Sequence, residues 1–447
     1  MGISYTGDTE ERLGSRSVSS RSRLLQRFRT VRAATEALAS RLSAEDQGLQ
    51  SMPSCSPAKW HRAHTTWFWE AFALGPRGVE PVSPHYARLF NSYYEALGPR
   101  HERPKRGLLS RPSAVEVGEY RRAVDERMQR LLTEAPDAEW PALRALVELG
   151  LAHEEQHQEL LLTDVLHAFS QNPMLPVYAE SLAPPARGGS AAPLSWVPFA
   201  GGLVEMGAEH AESFRFDNEE PRHRVYLRPF ELADRLLTVG EWKQFADAGG
   251  YREPSLWLSD GWDWVKRAGI EAPGYARLEG SRLIVFGLGG EREAADDEPI
   301  CHVSLYEADA IARFFSARLP TEAEWELAAA AVPVAGNFVE SGALRALPAS
   351  PAPAEAGAAS AGPALAQIYG DAWEWTQSPY VAYPGYQPAA GAIGEYNGKF
   401  MANQIVLRGG SCLTPGAHVR ASYRNFWPAE TQFQLSGIRL ARDGRHS

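Results

Sequence analysis

Apolar residues return at helical spacing in four stretches of the first third of the chain, which predicts four helices there. The first covers Leu24 to Leu42. The second follows Ser56-Pro57, with Ser56 as the expected N-cap and Pro57 at the first helical position, where a missing N–H costs nothing. On this helix Trp60, His64, Trp67, Phe68 and Ala71 share a face. A third, capped by Ser113, covers Ala114 to Leu132, and a fourth begins near Asp137 to Pro141 and ends near Ser170. A loop rich in Gly, Pro and Arg, Phe90 to Pro112, separates the second from the third. Helices of this length with facing apolar stripes predict a bundle.

The pattern changes after a Pro-, Gly- and Ala-rich linker. From Trp196 onward the chain shows short β-prone runs, many Gly and Trp, and helical spacing only at Val239 to Ala248, Leu305 to Phe315 and from Glu322, capped by Thr321. Ala331 to Gln367 reads as an irregular insert. The expected organisation is therefore a disordered tail (1–21), a helical bundle (22–172), a linker (173–194) and an α+β domain (195–447).

Length and composition fit this division. A chain of 447 residues is too long for one ordinary core. Its formal net charge of −10 argues against a general nucleic-acid binder, which would carry a basic face. No apolar run is long enough to predict a membrane-spanning helix. The three cysteines are far apart and odd in number, as expected for a reducing, cytoplasmic setting.

The fourth helix carries the chemistry. His153 and His157 stand four positions apart in LGLAHEEQHQELLL. They therefore share one helical face, which Leu146, Gly150, Leu160 and Asp164 roughly continue. His64, inward on another helix, completes a trio expected to hold one metal ion with positions left open. Imidazoles suit iron, zinc, copper or nickel, so the ligands alone do not choose. His153 to His157 also reads H-E-x-x-H, the zinc-protease signature, in which Glu154 would act as general base. Gln156 is expected to reach a bound substrate if it flanks the metal face.

Several motifs carry family resemblances. FAGGLVEMGAE, LPTEAEWELAAA, GDAWEWTQS, LRGGSC and the closing GIRLAR resemble the sulfatase-modifying-factor fold, an irregular α+β relative of C-type lectins. The N-terminal part resembles the DinB-like four-helix bundle. WHRAHTTWFWE, FNSYYEALGPRHERPKRGLLSRP, AHEEQHQELLLTD and SYRNFWP together resemble the ergothioneine-biosynthesis sulfoxide synthases and their relatives the selenoneine synthases. That resemblance implies Fe(II) on His64, His153 and His157. It implies hercynine, dioxygen and a sulfur or selenium donor as substrates, and oxidative bond formation at the imidazole C2 carbon. A zinc-dependent hydrolase or thiol transferase is the remote alternative, because DinB-like bundles host such chemistry.

Hercynine is trimethylated histidine, and its quaternary ammonium needs aromatic faces rather than hydrogen bonds. The resemblance places it against Asn425, Phe426 and Trp427, with Asn425 as the polar contact. Trp373 and Trp375 are expected to be structural. The steering tyrosine is expected to be Tyr94, then Tyr93, with Tyr380 third. Arg100, Arg103 and Arg106 would clamp a carboxylated thiol donor. The sulfur-using enzymes carry roughly R-W-Q-F-x-G near the end, whereas this chain reads Thr431-Gln432-Phe433-Gln434-Leu435-Ser436-Gly437. Polar Thr431, Gln432 and Gln434 would suit the hydroxyls of a selenosugar, so the departure leans towards the selenoneine-forming branch.

Overall fold

The computed structural model describes residues 7–94, 97–180, 192–209, 214–349, 365–390, 394 and 397–444, with side chains from residue 20 onward. The beginning of the expected tail (1–6), half of the expected linker (181–191) and the middle of the expected insert (350–364) lie outside the described residues. The chain forms two compact units, Met1–Val165 and Leu166–Ser447.

The first unit is helical: α1 (Gly7–Ala39), α2 (Ala58–Phe68), a short α3 (Tyr86–Phe90), α4 (Ala114–Glu134) and α5 (Trp140–Ser170). Helix α1 runs through most of the segment expected to be a disordered tail. That stretch contains no proline, and Glu10, Glu11, Arg12, Leu13 and Arg16 are good helix formers. Arg21 also docks: its guanidinium donates to the Ala135 carbonyl at 2.6 Å and lies 4.6 Å over the Trp140 ring. Ser56 is not the cap of α2. Pro57 occupies the cap position, while the Ser56 hydroxyl accepts from Arg106 at 2.9 Å and its N–H donates to Asp164 at 2.7 Å. Ser113 caps α4 as expected, in a reciprocal box with Glu116.

Phe28, Val31, Trp67, Phe68, Val124, Met128, Val147 and Leu151 fill the bundle core, and charges run through it as well. Glu154 on α5 is fully buried and accepts from Arg32 of α1 (2.8 Å), Arg121 of α4 (2.9 Å) and the Thr35 hydroxyl (2.7 Å). Arg32 also reaches Thr66 of α2 and Asp125 of α4, at 2.9 and 2.7 Å. One carboxylate thus fixes the rotation of α5 about its own axis. His153, one residue away and about 100° round the helix, is turned towards α2.

Helix α2 passes directly into a π-helical turn, Trp69–Leu74, the kind of irregularity often found beside functional sites. Gly150 of α5 lets Trp69 and Phe68 close over this helix. A Cβ there would stand 2.3 Å from the Trp69 ring and 2.7 Å from that of Phe68. Gly150→Ala should therefore destabilise the unit by about 1–3 kcal/mol through overpacking, read as a lower denaturant midpoint.

Among the described residues the second unit is α+β with four small sheets. Strands β1 (Trp196–Phe199), β2 (Gly202–Met206), β3 (His223–Leu227) and β4 (Phe230–Ala233) come first. Helices α6 (Val239–Asp247) and α7 (Ser259–Ala268) precede a meander of β5 (Ala276–Glu279), β6 (Arg282–Gly287) and β7 (Gly290–Glu293). Helices α8 (Leu305–Phe314) and α9 (Glu322–Ala329) follow, then β8 (Trp373–Pro379), β9 (Ile405–Arg408), β10 (Asn425–Trp427), β11 (Ser436–Gly437) and β12 (Ala441–Asp443). The sheet orders are β1-β4-β12, β2-β3, β5-β6-β7 and β10-β9-β8-β11, antiparallel except where β11 joins β8. Helix α7 escaped the apolar pattern because Gly261 and a run of tryptophans obscure it. Its ends are nonetheless marked by Asp260, by Lys266 and Arg267, and by Gly269 at φ 64°.

The repeated motifs of this half are buried braces. Glu374 accepts from Arg439 and from the Trp325 indole, each at 2.8 Å. Glu322 takes Arg424 at 2.7 Å and Arg408 at 2.9 Å. Trp373 and Trp375 are almost wholly buried, and the Trp375 indole donates to the Val303 carbonyl at 2.8 Å. Both tryptophans build the core, as expected.

Candidate metal centre

Helices α2 and α5 bring His64, His153 and His157 together, with one ring nitrogen from each within 4.8 Å of the others. His64 Nδ1 lies 2.6 Å from the Phe90 carbonyl. A carbonyl only accepts, so this nitrogen carries the proton and Nε2 keeps its lone pair. That Nε2 faces His153 Nε2 at 3.1 Å. His153 Nδ1 is buried and has no hydrogen-bond partner among the described residues. His157 turns its Nδ1 to His61, at 2.8 Å.

Burial pushes all three imidazoles towards the neutral form. His64 and His157 are held well below the usual histidine range, by burial first and then by neighbouring His153. Burial takes His153 down to about 4, against the pull of the Glu154 carboxylate. Neutral imidazoles with a lone pair aimed at a common point, and one with an orphaned second nitrogen, fit a cation that replaces the proton shared by His64 and His153. Ligand bonds of about 2 Å are compatible with this spacing.

The depressed values set a sign for pH dependence in the metal-free protein. As pH falls from about 6.5, the usual histidine value, the unfolded chain binds protons that folded His153 refuses until about 4. Stability should therefore decline through that window. Glu154, held down to about 2 against burial by Arg32 and Arg121, adds a second decline between about 4.5 and 2. Denaturant titrations of the metal-free protein from pH 7.5 downward check both windows, and Glu154→Gln should lessen the lower one, to which buried Glu219 and Glu322 also contribute, while leaving the upper one in place.

Aromatic rings wall the trio. Trp60 stacks on His64 at 4.6 Å and 12°, and the Arg106 guanidinium lies over the Trp60 ring at 3.4 Å. Trp67 stacks on His64 at 5.8 Å, and Tyr94 packs against Trp67 at 5.9 Å and Phe72 at 4.9 Å. Tyr94 therefore stands one ring from the histidines, with its backbone held by the Asn91 amide, which accepts from its N–H at 3.1 Å and donates to its carbonyl at 2.9 Å.

The other expected residues are placed as follows. The Tyr93 hydroxyl accepts from Arg103 at 2.9 Å. Arg100 donates to the Ser92 carbonyl at 2.9 Å. Arg106 is buried, donating to the Ser56 and Ser92 hydroxyls. Gln156 is half-buried. Glu154 lies in the bundle core on its two arginines, and that placement removes it from any role as a base in the H-E-x-x-H reading.

In the second unit β10 holds Asn425, Phe426 and Trp427. Strand alternation turns Phe426 opposite to the other two. It stacks on Tyr380 at 3.9 Å and 13°, and the buried Tyr380 hydroxyl accepts from Asn218 at 2.9 Å. The Trp427 indole N–H is buried without a hydrogen-bond partner among the described residues. Gln432 donates to the Glu307 carboxylate at 2.8 Å, and Gln434 is 1% exposed. Gln432 is half-buried, and the Gln434 side-chain nitrogen is buried without a hydrogen-bond partner among the described residues. His61 and Asn91 went unnoticed in the sequence. The signal for His61 was the spacing H-x-x-H in WHRAH, one turn before His64.

Comparison with known proteins covers nearly the whole chain. Residues 27–161 match the DinB superfamily, and residues 186–444 match the sulfatase-modifying factor enzyme 1-like domain. The hercynine oxygenase of Mycolicibacterium smegmatis is 33% identical over 414 residues, which span 88% of this chain and 92% of that protein. The hercynine oxygenase of Mycobacterium tuberculosis is 34% identical over 409 residues, again 88% and 92%. The formylglycine-generating enzyme of Thermomonospora curvata is 32% identical over 146 residues, 30% of this chain and 48% of that protein.

Proposed function

Because the chain belongs to the hercynine oxygenase family, with a DinB-type helical bundle followed by a sulfatase-modifying-factor α+β domain, we propose that it is an oxidoreductase joining sulfur to the imidazole C2 of hercynine. The observation that carries the reading is the trio of neutral imidazoles gathered from two helices. Bound there, Fe(II) would supply a centre that gathers the substrates and activates dioxygen. In the overall reaction the C2–H and S–H bonds break and C–S and S=O bonds form. The two hydrogens leave with the second oxygen atom as water.

The chain's own residues do the rest. His64, His153 and His157 would hold the ion, leaving positions open for substrate. Trp60 and Trp67 keep water from the imidazole faces. Tyr94 is the proposed proton donor, because it is buried and one aromatic ring from His64. Arg100 and Arg103 are proposed to receive a donor carboxylate, while the buried Arg106 lies over the Trp60 ring. Gln156 is proposed to contact substrate from the metal-bearing helix. Asn425 and Trp427 are proposed to meet hercynine, the indole N–H of Trp427 being unspent within the second unit, with Phe426 and Tyr380 stacked behind them.

A selenosugar donor is the second reading, favoured by Thr431 to Ser436 standing where the sulfur-using enzymes carry arginine and tryptophan. The commitment of Gln432 to Glu307 weakens it. The deciding experiment supplies hercynine, oxygen and Fe(II) with cysteine, γ-glutamylcysteine and a selenosugar in competition, and follows products by mass. Iron- and hercynine-dependent oxygen uptake with a thiol adduct supports the proposal. A seleno-adduct selects the second reading, and no uptake with any donor overturns both.

A further inference from the structure

Behind the trio runs a line of polar atoms that the reaction as described does not use. His157 Nδ1 lies 2.8 Å from His61 Nδ1, and His61 Nε2 lies 3.0 Å from Asp164 Oδ2. The same carboxylate oxygen accepts the backbone N–H of Ser56 at 2.7 Å. His61 and Asp164 are 3% and 6% exposed, so water does not compete for these contacts.

The direction of each bond follows from its far end. Asp164 Oδ2 already serves as an acceptor for Ser56, so His61 donates to it from Nε2–H. With one N–H committed to Asp164, His61 keeps Nδ1 as an acceptor in its single-proton form. His157 must then donate from Nδ1–H, and its Nε2 is left with a bare lone pair. We propose that His61 and Asp164 are a positioning pair that selects the metal-binding tautomer of His157 and fixes the plane of its ring. The proposal rests on the reading of His64, His153 and His157 as ligands of one ion. It deepens that reading by extending the site to two residues that touch no substrate. Partners of this kind, removed from a ligand histidine, typically cost about 10–100-fold in metal affinity.

Glutamine and leucine at position 61 separate this role from packing. A glutamine side chain can accept at one end and donate at the other, in the same order as the imidazole it replaces. Leucine has similar bulk and can do neither. The metal-free protein and its variants are titrated anaerobically with Co(II), followed by its visible spectrum and by competition with a chelator. Their melting temperatures without metal are recorded in parallel. His61→Leu should weaken Co(II) binding by about 10–100-fold, and His61→Gln should recover most of that loss. Equal affinity for His61→Leu and the parent overturns the proposal. So does a loss for His61→Gln as large as that for His61→Leu. If His61→Leu fails to fold, Asp164→Asn and Asp164→Leu make the same comparison, since only asparagine keeps an oxygen for His61. If the parent protein takes up no Co(II), the metal reading itself falls and the positioning role falls with it. Tight binding by the parent that neither pair of variants perturbs overturns only the positioning role.

Discussion

His153→Ala should leave a folded protein that holds metal more than about 100-fold less tightly, beyond the loss typical of an outer partner, and that forms no product. Removing one of three proposed ligands would leave His64 and His157 to hold the ion alone. Position 153 is the cleanest of the three to alter. His64 is tied to the Phe90 carbonyl and His157 to His61, whereas His153 Nδ1 has no partner among the described residues. The imidazole removed is neutral, since burial takes it down to about 4, so no charge is stranded. Metal content after dialysis, together with a melting curve close to that of the parent, would establish the result. Full metal retention would show that the trio is not the site.

Glu154→Ala, one residue along, should fail in the opposite way. It would leave Arg32 and Arg121 buried without their shared carboxylate, and breaking such an arrangement costs about 3–5 kcal/mol. For a unit of this size that lowers the melting temperature by roughly 6–20 °C. Metal affinity per folded molecule should change far less than in His153→Ala. Thermal unfolding of the two variants side by side is the measurement. If Glu154→Ala were stable but inactive, the carboxylate would have to face the reaction, as the H-E-x-x-H pattern alone would have it.

The contrast between these neighbours shows what a sequence can and cannot disclose. Helical periodicity is local, so His153 and His157 could be assigned to one face, and His64 to the inward face of α2, without coordinates. The caps at Ser113 and Thr321 are equally local, each with its glutamate three residues on. The identity of Glu154 as a brace was not legible, because its partners lie 122 and 33 residues away. His61 was hidden for the same reason, its imidazole meeting His157 across 96 residues. In the second unit the first sheet joins strands from residues 196, 230 and 441 onward, and pairing over such separations leaves no trace in spacing. Charge was misleading too. Arg106 is expected from its basic run to clamp a donor carboxylate, yet it is buried against Trp60.

The contacts of α1 set a limit on how the polypeptide can be divided. Arg27 of α1 reaches Glu155, Arg32 and Thr35 reach Glu154, and the Val31 carbonyl accepts from Gln158. Each of those partners belongs to the heptad of residues that also bears His153 and His157. A version trimmed to begin after residue 36 would keep every proposed ligand yet lose Arg32, which braces Glu154 beside His153. Shortening from the front that removes Arg21 should already weaken the unit, because its guanidinium anchors α1 to the Ala135 carbonyl.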